Sequence, residues 1–335
     1  MRYILGIDSG GTKSEAMLVH EDGTVVGWGR STPTEFGRAV FTFHGNGRTR
    51  NAVSTAVRKA LGNTRFDELL VAGVATVHSL AFLTESFPAR VELHLAGEFS
   101  SAFALVGEPC GIVALAGTGS FVHGLTRDGR VVHLDGLGPW LGDHGSGYRI
   151  GYQAFRAAAR SGWHPRHRTS LAGRIYRVCG LKREDPLGGA LIRHMLPDRD
   201  RSEVASLARI VDEEAEAGDR VAREILEAAA SGLAETIYDV VQWLGMDGED
   251  YALVGTGGVA AKSRIYWEHL CTRVHEFAPR LRPVRSDLPA VVGVVLTALR
   301  KLHPHDLEPV RQRLCEGTRA WLRSREQPAA SPPVN

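Results

Sequence analysis

The chain has 335 residues, of which 43% are hydrophobic and 23% are charged, and its formal net charge at pH 7 is +2. This composition is ordinary for a globular protein of one large or two medium-sized domains. The charge is too balanced for composition alone to imply nucleic-acid binding. The four cysteines lie far apart and form no CxxC pair, which disfavours a zinc or redox motif and predicts free thiols in a reducing cytoplasm.

Three short strands open the predicted fold, at Tyr3–Ile7, Ser14–His20 and Thr24–Arg30, with a hairpin turn at Glu21-Asp22-Gly23. Apolar spacing then predicts a helix, a buried strand, a second strand and a short helix, at Asn51–Leu61, Leu69–Ala75, Val91–Leu95 and Ser100–Leu105. The first third of the chain therefore alternates strands and helices.

A glycine turn, Asp8–Lys13, joins the first two strands. Glycines let backbone N–H groups approach a phosphate closely because no Cβ blocks the way. The carboxylate of Asp8 is suited to hold Mg²⁺ or its bound waters. The turn predicts a phosphate-binding site built on a hairpin.

The same pattern of strand, glycine turn and strand returns about 105 residues later, a spacing too long for a solenoid repeat. The second set of strands is predicted at Gly111–Leu115, Ser120–Thr126 and Val131–Leu134, and its turn is Gly117-Thr118-Gly119. The repeat predicts a duplicated domain, in which two glycine turns clamp a polyphosphate from both sides.

Helical spacing predicts helices in the middle of the chain, at Ser146–Ser161, Arg174–Cys179, Ser202–Ala217 and Asp219–Leu244. A strand at Tyr251–Val254 then ends in a third glycine turn, Gly255–Gly258, which can lie along a nucleotide base and ribose. The remaining predicted helices begin at Ser263 or span Pro289–Leu302 and Leu307–Arg325.

A second glycine-rich segment, Gly136–Ser146, precedes the first of the middle helices. Asp143 or Ser146 could simply cap that helix. Capping alone does not need four glycines, whereas a loop that wraps a small polar ligand does. In that interpretation Asp143 accepts hydrogen bonds from hydroxyl groups of the ligand.

Together these segments resemble the phosphate-1, phosphate-2, adenosine and sugar-binding motifs of the sugar kinase/Hsp70/actin superfamily. Within it they resemble the BadF/BadG/BcrA/BcrD ATPase family and its N-acetylglucosamine kinase-like branch. That branch has a DGGGTKT-like first motif, an SGTGS-like second motif and a GWGxxLGDEGSAYxIG-like loop, matched here by Asp8–Ser14, Ala116–Ser120 and Gly136–Gly151.

The resemblance implies an α/β fold: a two-domain actin-like ATPase (ribonuclease H-like) fold with a duplicated βββαβαβα core and an interdomain cleft. The expected domains are residues 1–110 and residues 111–302, the second with a helical insertion. The C-terminal helix, 303–325, is expected to pack back on the first domain, and residues 326–335 to form a loose tail.

The resemblance also assigns roles to residues. Thr12 and Thr118 contact ATP phosphates, and Asp8 holds the Mg²⁺ shell. The rest of the implied nucleotide site is Gly10, Gly11, Lys13, Gly117, Gly119, Gly218, Gly257 and Gly258, where Gly218 belongs to an AGD-like segment, Ala217-Gly218-Asp219. The implied sugar site is Leu137, Gly138, Pro139 and Asp143.

The substrate side departs from the family pattern. The family has an Asp as catalytic base after the last strand of the first domain, and here the nearest carboxylate is Glu98, one methylene longer. Glu98 is either the base of the phosphoryl transfer or a charge at the start of the next helix. His144 stands where the family has Glu.

The resulting hypothesis is an ATP- and Mg²⁺-dependent kinase of an amino sugar or related carbohydrate, with a small-molecule partner and, by resemblance, a homodimer as one option. The alternatives are an activator ATPase of a dehydratase or reductase, which needs cluster cysteines and a GGQD-like second motif, and a non-catalytic sugar or nucleotide sensor. No membrane partner is expected, because Asp8 ends the N-terminal apolar run and Val291–Leu299 is too short to span a bilayer.

Overall fold

A computed structural model of the protein describes residues 2–10, 13–32, 47–73, 90–182, 189–195 and 200–326. Of these, the residues up to Leu105 and from Leu288 onward form a first unit, and Val106–Asp287 form a second.

The secondary structure alternates as the sequence predicts. The strands are β1 (Arg2–Ser9), β2 (Ser14–His20), β3 (Val25–Ser31), β4 (Glu68–Gly73), β5 (Arg90–Leu95), β6 (Gly111–Ala116), β7 (Ser120–Leu125), β8 (Val131–Asp135), β9 (Ala252–Thr256) and β10 (Arg282–Arg285). The helices are α1 (Gly47–Leu61), α2 (Glu98–Val106), α3 (Gly147–Arg160), α4 (Leu171–Val178), α5 (Gly189–Met195), α6 (Arg201–Ser206), α7 (Ala208–Glu216), α8 (Arg220–Leu244), α9 (Gly257–Ala260), α10 (Arg264–His275), α11 (Ala290–Leu302) and α12 (Leu307–Glu326). A 3₁₀ turn at Pro165–His167 follows α3.

The first unit is built on a five-stranded sheet in the order β3-β2-β1-β4-β5. The first three strands in the chain are antiparallel, and β4 and β5 run parallel to β1. Side chains alternate between the two faces of these strands, so Ile4 and Met17 belong to one core cluster and Leu5 and Leu18 to another. Helix α1 covers the second of these clusters.

Helix α1 lies directly on β3, and two glycines make this approach possible. A Cβ on Gly29 would lie 1.8 Å from the carbonyl oxygen of Ala56, and one on Gly27 would lie 2.0 Å from that of Ala60. A side chain at either position would therefore force the helix off the sheet.

The last two helices complete the first unit. Val291 and Val295 of α11 share a core cluster with Ile4 of β1, and Leu314 of α12 belongs to the same cluster. The sequence prediction ends the second domain at residue 302, which is one helix too late, because α11 already belongs to the first unit. The physical reason is that valine-rich α11 provides the apolar cover for the face of the first sheet opposite α1.

The second unit repeats the topology of the first. Its sheet has the order β8-β7-β6-β9-β10, again with three antiparallel strands followed by two parallel ones. The duplicated core predicted from the sequence is confirmed. The short edge strand β10 was not predicted, because its sequence, Arg-Pro-Val-Arg, has charged ends and a proline, which is tolerated only at a sheet edge.

One continuous apolar core joins the helices of the second unit to its sheet. Its central helix, α8, begins at Asp219, whose Oδ1 accepts the N–H of Ala222 at 2.8 Å, and ends at Gly245 in the left-handed conformation. Among the described residues, no helix combines the length and apolarity needed to cross a membrane.

Candidate nucleotide and sugar site

The first glycine turn brings two carboxylates together at the end of a hairpin. Asp8 of β1 lies opposite Glu15 of β2 in the strand register. Burial raises the pKa of Asp8 above its usual value; Lys13 lowers it and Glu15 raises it further. The ammonium of Lys13 lies 2.5 Å from Oε2 of Glu15. Gly10 donates its N–H to the carbonyl of Lys13 at 2.9 Å.

This arrangement suits a hard cation, because two carboxylates lie opposite each other across the hairpin and carboxylate oxygens are ligands that such cations prefer. The residues present therefore fit the Mg²⁺ that the sequence predicts at Asp8. Gly11 and Thr12, which were also predicted to contact phosphate, lie outside the described residues.

The second glycine turn is attached to the start of helix α3. Gly117 closes the turn by donating its N–H to the carbonyl of Gly119 at 2.9 Å. Helix α3 then donates to the turn: the N–H of Gly147 contacts the carbonyl of Gly117 at 2.7 Å, and that of Tyr148 contacts the carbonyl of Thr118 at 3.2 Å. The N–H groups of the helix thus bind the carbonyl oxygens of the turn. These carbonyl oxygens would repel a phosphate, because phosphate oxygens are themselves hydrogen-bond acceptors.

Asp143 lies against this second turn. It is 2% exposed, and its Oδ1 accepts the N–H of Ser120 at 2.9 Å while its Oδ2 pairs with Arg201. Burial raises the pKa of Asp143, although the contacts from Ser120 and Arg201 oppose the shift. Asp143, which is predicted to bind the sugar, is therefore in direct contact with the turn that is predicted to bind phosphate.

A second carboxylate, Asp135, organises the glycine-rich loop. Both of its carboxylate oxygens accept the N–H of Asp143, at 2.9 and 3.0 Å, and Oδ1 also accepts the N–H of Leu137 at 3.4 Å. Asp135 and Asp143 both have positive φ, 69° and 58°, which few non-glycine residues adopt. The loop thus folds back around the Asp135 carboxylate.

Sequence reasoning missed two of these residues. Asp135 could have been found, because an Asp-Gly pair at a strand end is a strong turn signal. Arg201 could not, because it lies 58 residues from Asp143 in the sequence and no local motif marks it.

The remaining predicted sugar-site residues lie on the outer part of this loop. Leu137 is 60% exposed, and its neighbours Trp140 and Leu141 are 84% and 77% exposed. Gly138 is buried and has φ 82°, and Pro139 is half-buried. The loop therefore carries apolar side chains that the protein itself does not cover.

The third glycine turn packs on the second. Gly257 has φ 85°, and a Cβ there would lie 2.5 Å from the carbonyl oxygen of Ala116, so only glycine fits. Gly258 is exposed and has open space at its Cβ position. Gly117, Gly119, Gly257 and Asp143 are thus brought together within the second unit.

The residue before the AGD-like segment, Glu216, pairs with Arg264 at the start of α10 at 2.8 Å. Gly218 itself has φ 97° and open space at its Cβ position. This ion pair links the chain just before Gly218 to the helix that follows the third turn, and the role of Gly218 at the nucleotide stays a prediction.

The predicted base, Glu98, begins helix α2, three residues after the end of β5. Its side chain lies outside the described residues. Its backbone position follows the last strand of the first sheet, where the sequence pattern put the catalytic carboxylate.

Comparison with known proteins identifies the family of the chain. The model of the BadF/BadG/BcrA/BcrD ATPase family matches residues 5–298. An N-acetylmuramic acid/N-acetylglucosamine kinase from Clostridium acetobutylicum is 26% identical over 311 residues, which cover 89% of this chain and 98% of the relative. An N-acetyl-D-glucosamine kinase from Dictyostelium discoideum is 31% identical over 196 residues, 58% of this chain and 60% of the relative.

A similar fold occurs in a solved structure. A candidate N-acetylglucosamine kinase from Chromobacterium violaceum superposes with a TM-score of 0.62 at 22% identity, over 89% of this chain and 99% of that one. The two-domain actin-like fold expected from the sequence is confirmed.

Proposed function

Because the chain belongs to the BadF/BadG/BcrA/BcrD ATPase family, we propose that it is an ATP-dependent kinase that phosphorylates a hydroxyl of an amino sugar or related carbohydrate. The observation that carries this proposal is the contact between the second glycine turn and Asp143, in which Asp143 Oδ1 accepts the Ser120 N–H at 2.9 Å. A phosphate-binding turn and a hydroxyl-binding carboxylate in direct contact suit phosphoryl transfer between a nucleotide and a polyol.

On the nucleotide side, the turns at Gly10–Lys13 and Gly117–Gly119 would bind the phosphates through backbone N–H groups. Gly218, Gly257 and Gly258 would lie along the adenosine. Asp8 would hold Mg²⁺, with Glu15 beside it, and the ion would neutralise charge that develops on the phosphates.

In the transfer step, Glu98 would accept the proton of the sugar hydroxyl. The sugar oxygen then forms a bond to the γ-phosphorus, the bond from that phosphorus to the bridging oxygen breaks, and ADP leaves with the electron pair. The products are a sugar phosphate, ADP and the proton held by Glu98.

On the sugar side, Asp143 is the proposed hydroxyl acceptor. Each of its carboxylate oxygens already accepts one hydrogen bond, from Ser120 or Arg201, and keeps a second lone pair for a hydroxyl. Leu137, Gly138 and Pro139 would line the same site. The names of the two relatives favour N-acetylated amino sugars as acceptors.

The other functional classes have less support. An activator ATPase would need a GGQD-like second motif, whereas this chain has Gly117-Thr118-Gly119. A non-catalytic sensor remains the second candidate, because Glu98 and His144 depart from the family pattern. We place the enzyme in the cytoplasm on account of its free thiols, with a homodimer as the proposed assembly.

The test is ADP release over a panel of amino sugars, neutral sugars and muropeptide sugars. We expect sugar-dependent ADP release that falls about 100- to 10,000-fold in Glu98→Gln, since general-base catalysis contributes about that factor. Glu68→Gln, an exposed carboxylate of the same unit, is the control and should keep full activity. Sugar-independent ADP release, or an active Glu98→Gln variant, would contradict the assignment.

A further inference from the structure

The second unit contains a groove that the proposed reaction does not use. It has a volume of about 660 Å³ and lies between helices α3 and α8. None of the glycine turns lines it. Its size is within the range of small-molecule sites, about 300 to 1,000 Å³.

The groove is strongly basic. The charged side chains that line it are five arginines and two glutamates, at Arg149, Arg156, Arg160, Arg166, Arg220, Glu224 and Glu235. Arg220 pairs with Glu224. Over the described part of the chain, no carboxylate lies within ion-pair distance of Arg149, Arg156 or Arg160. The groove therefore holds positive charge that no carboxylate of the described residues neutralises.

At one end of the groove, two arginines contact the same histidine. Nε2 of His167 lies 3.3 Å from a guanidinium nitrogen of Arg160 and 3.2 Å from Nε of Arg166. Burial, followed by the charges of Arg160 and Arg166, lowers the pKa of His167, so the ring is neutral and accepts from one of them. The Nε atom of Arg160 is buried without a hydrogen-bond partner. Among the described residues, one N–H donor thus remains unpaired beside the ring.

The other end of the groove reaches the sugar-binding loop. His144, which lines this end, directly follows Asp143. A Cβ on Gly232 would lie 2.9 Å from the Cβ of His144, so α8 packs closely under the histidine. Gln153 on α3 and Glu235, beyond Gly232 on α8, add hydrogen-bonding groups to the lining.

These features define the chemistry of a ligand. Guanidinium groups bind phosphate and carboxylate through paired N–H donors, and several unneutralised arginines favour a dianion. The polar side chains toward His144 can accept and donate hydrogen bonds to hydroxyls. We propose that the groove between α3 and α8 binds a phosphate monoester of a small polyol, the class to which hexose phosphates belong.

The test is calorimetric titration of the full chain with glucose 6-phosphate, inorganic phosphate and glucose. We expect saturable binding of the ester and weaker binding of inorganic phosphate and glucose. Arg156→Gln/Arg160→Gln should weaken ester binding about tenfold or more, as loss of charged hydrogen bonds does. Arg223→Gln is the matched control, because Arg223 is on α8, the other helix of the groove, pairs with Glu227 and does not line the groove.

Circular dichroism melting establishes that each variant is folded. If the double variant does not fold, Arg156→Gln alone replaces it, since Arg156 is exposed and its change should still weaken ester binding. The proposal is overturned if the ester does not bind, if a folded groove variant binds it as tightly as the unchanged protein, or if inorganic phosphate binds equally well. Because the readout is binding rather than turnover, it remains informative whether or not the chain is a kinase.

Discussion

At the scale of single residues, Asp143 joins two parts of the candidate site. Its carboxylate accepts the N–H of Ser120 in the second glycine turn, and its own N–H is held by Asp135 in the sugar-binding loop. Arg201 adds an ion pair from a distant helix. The turn is therefore held by the buried side chain of Asp143, and the loop by its backbone N–H.

Asp143→Ala should weaken both stability and sugar binding. The change leaves the buried Ser120 N–H and the Arg201 guanidinium without their acceptor, which costs about 1 to 3 kcal/mol in the free energy of unfolding. Thermal melting and sugar affinity measure the two effects. Asp128→Ala is the control, since its side chain is 63% exposed and its effect should stay within about 0.5 kcal/mol. Equal effects of the two changes would contradict this role.

Asp219 gives the stability a defined pH dependence. Burial raises its pKa, but hydrogen bonds from Ala222, Ser170 and Thr169 lower the pKa by more, so the net shift is downward. When the pKa of a carboxyl group is lower in the folded than in the unfolded state, its charge stabilises the fold at pH values above the unfolded-state pKa. This stabilisation is lost as the pH falls through the folded-state pKa.

We therefore expect Asp219→Asn to be less stable than the unchanged protein at neutral pH, and the difference to shrink as the pH falls below about 4. Denaturant unfolding at several pH values measures it. A difference that stays constant from neutral to acid pH would show that the carboxylate charge at residue 219 does not contribute to stability.

At the scale of elements, the fold followed closely from hydrophobic periodicity and turn chemistry. The two sets of three antiparallel strands were predicted because alternating apolar residues flank glycine turns. The packing of α11 on the first sheet was not predictable, because its valines would suit either unit and no local signal selects between them. In the candidate site, the sequence predicts the glycines and Asp143, and their roles stay predictions, whereas the contact of Arg201 with Asp143 depends on tertiary structure alone.

Helix α1 and strand β3 offer a test of element packing. In Gly29→Ala the new methyl group would lie 1.8 Å from the carbonyl oxygen of Ala56, so the helix must shift. Overpacking of this kind costs about 1 to 3 kcal/mol in the free energy of unfolding.

Gly173→Ala is the matched control for this prediction. Gly173 lies in helix α4 with no atom within 4 Å of its Cβ position, and alanine there should leave stability unchanged or raise it by up to about 1 kcal/mol. Denaturant unfolding compares the two variants. If Gly29→Ala is as stable as Gly173→Ala, then α1 does not pack on β3 as described.

At the scale of the whole molecule, one topology occurs twice and has diverged in chemistry. The first unit carries the carboxylates Asp8 and Glu15 beside its glycine turn, which suits a cation. In the second unit, the glycine turn is hydrogen-bonded to the start of α3 and to Asp143. This arrangement suits an anion beside a hydroxyl group. The two copies thus differ in the chemistry beside their glycine turns.

Transfer of a phosphoryl group from ATP to a sugar is tested most directly by following the label from γ-³²P-ATP in the presence of Mg²⁺ and N-acetylglucosamine or a related amino sugar. We expect the label to appear in a sugar phosphate, in an amount equal to the ADP formed, and Glu98→Gln to abolish its formation. Label that appears only as inorganic phosphate, or that stays in ATP with every sugar of the panel, would contradict it.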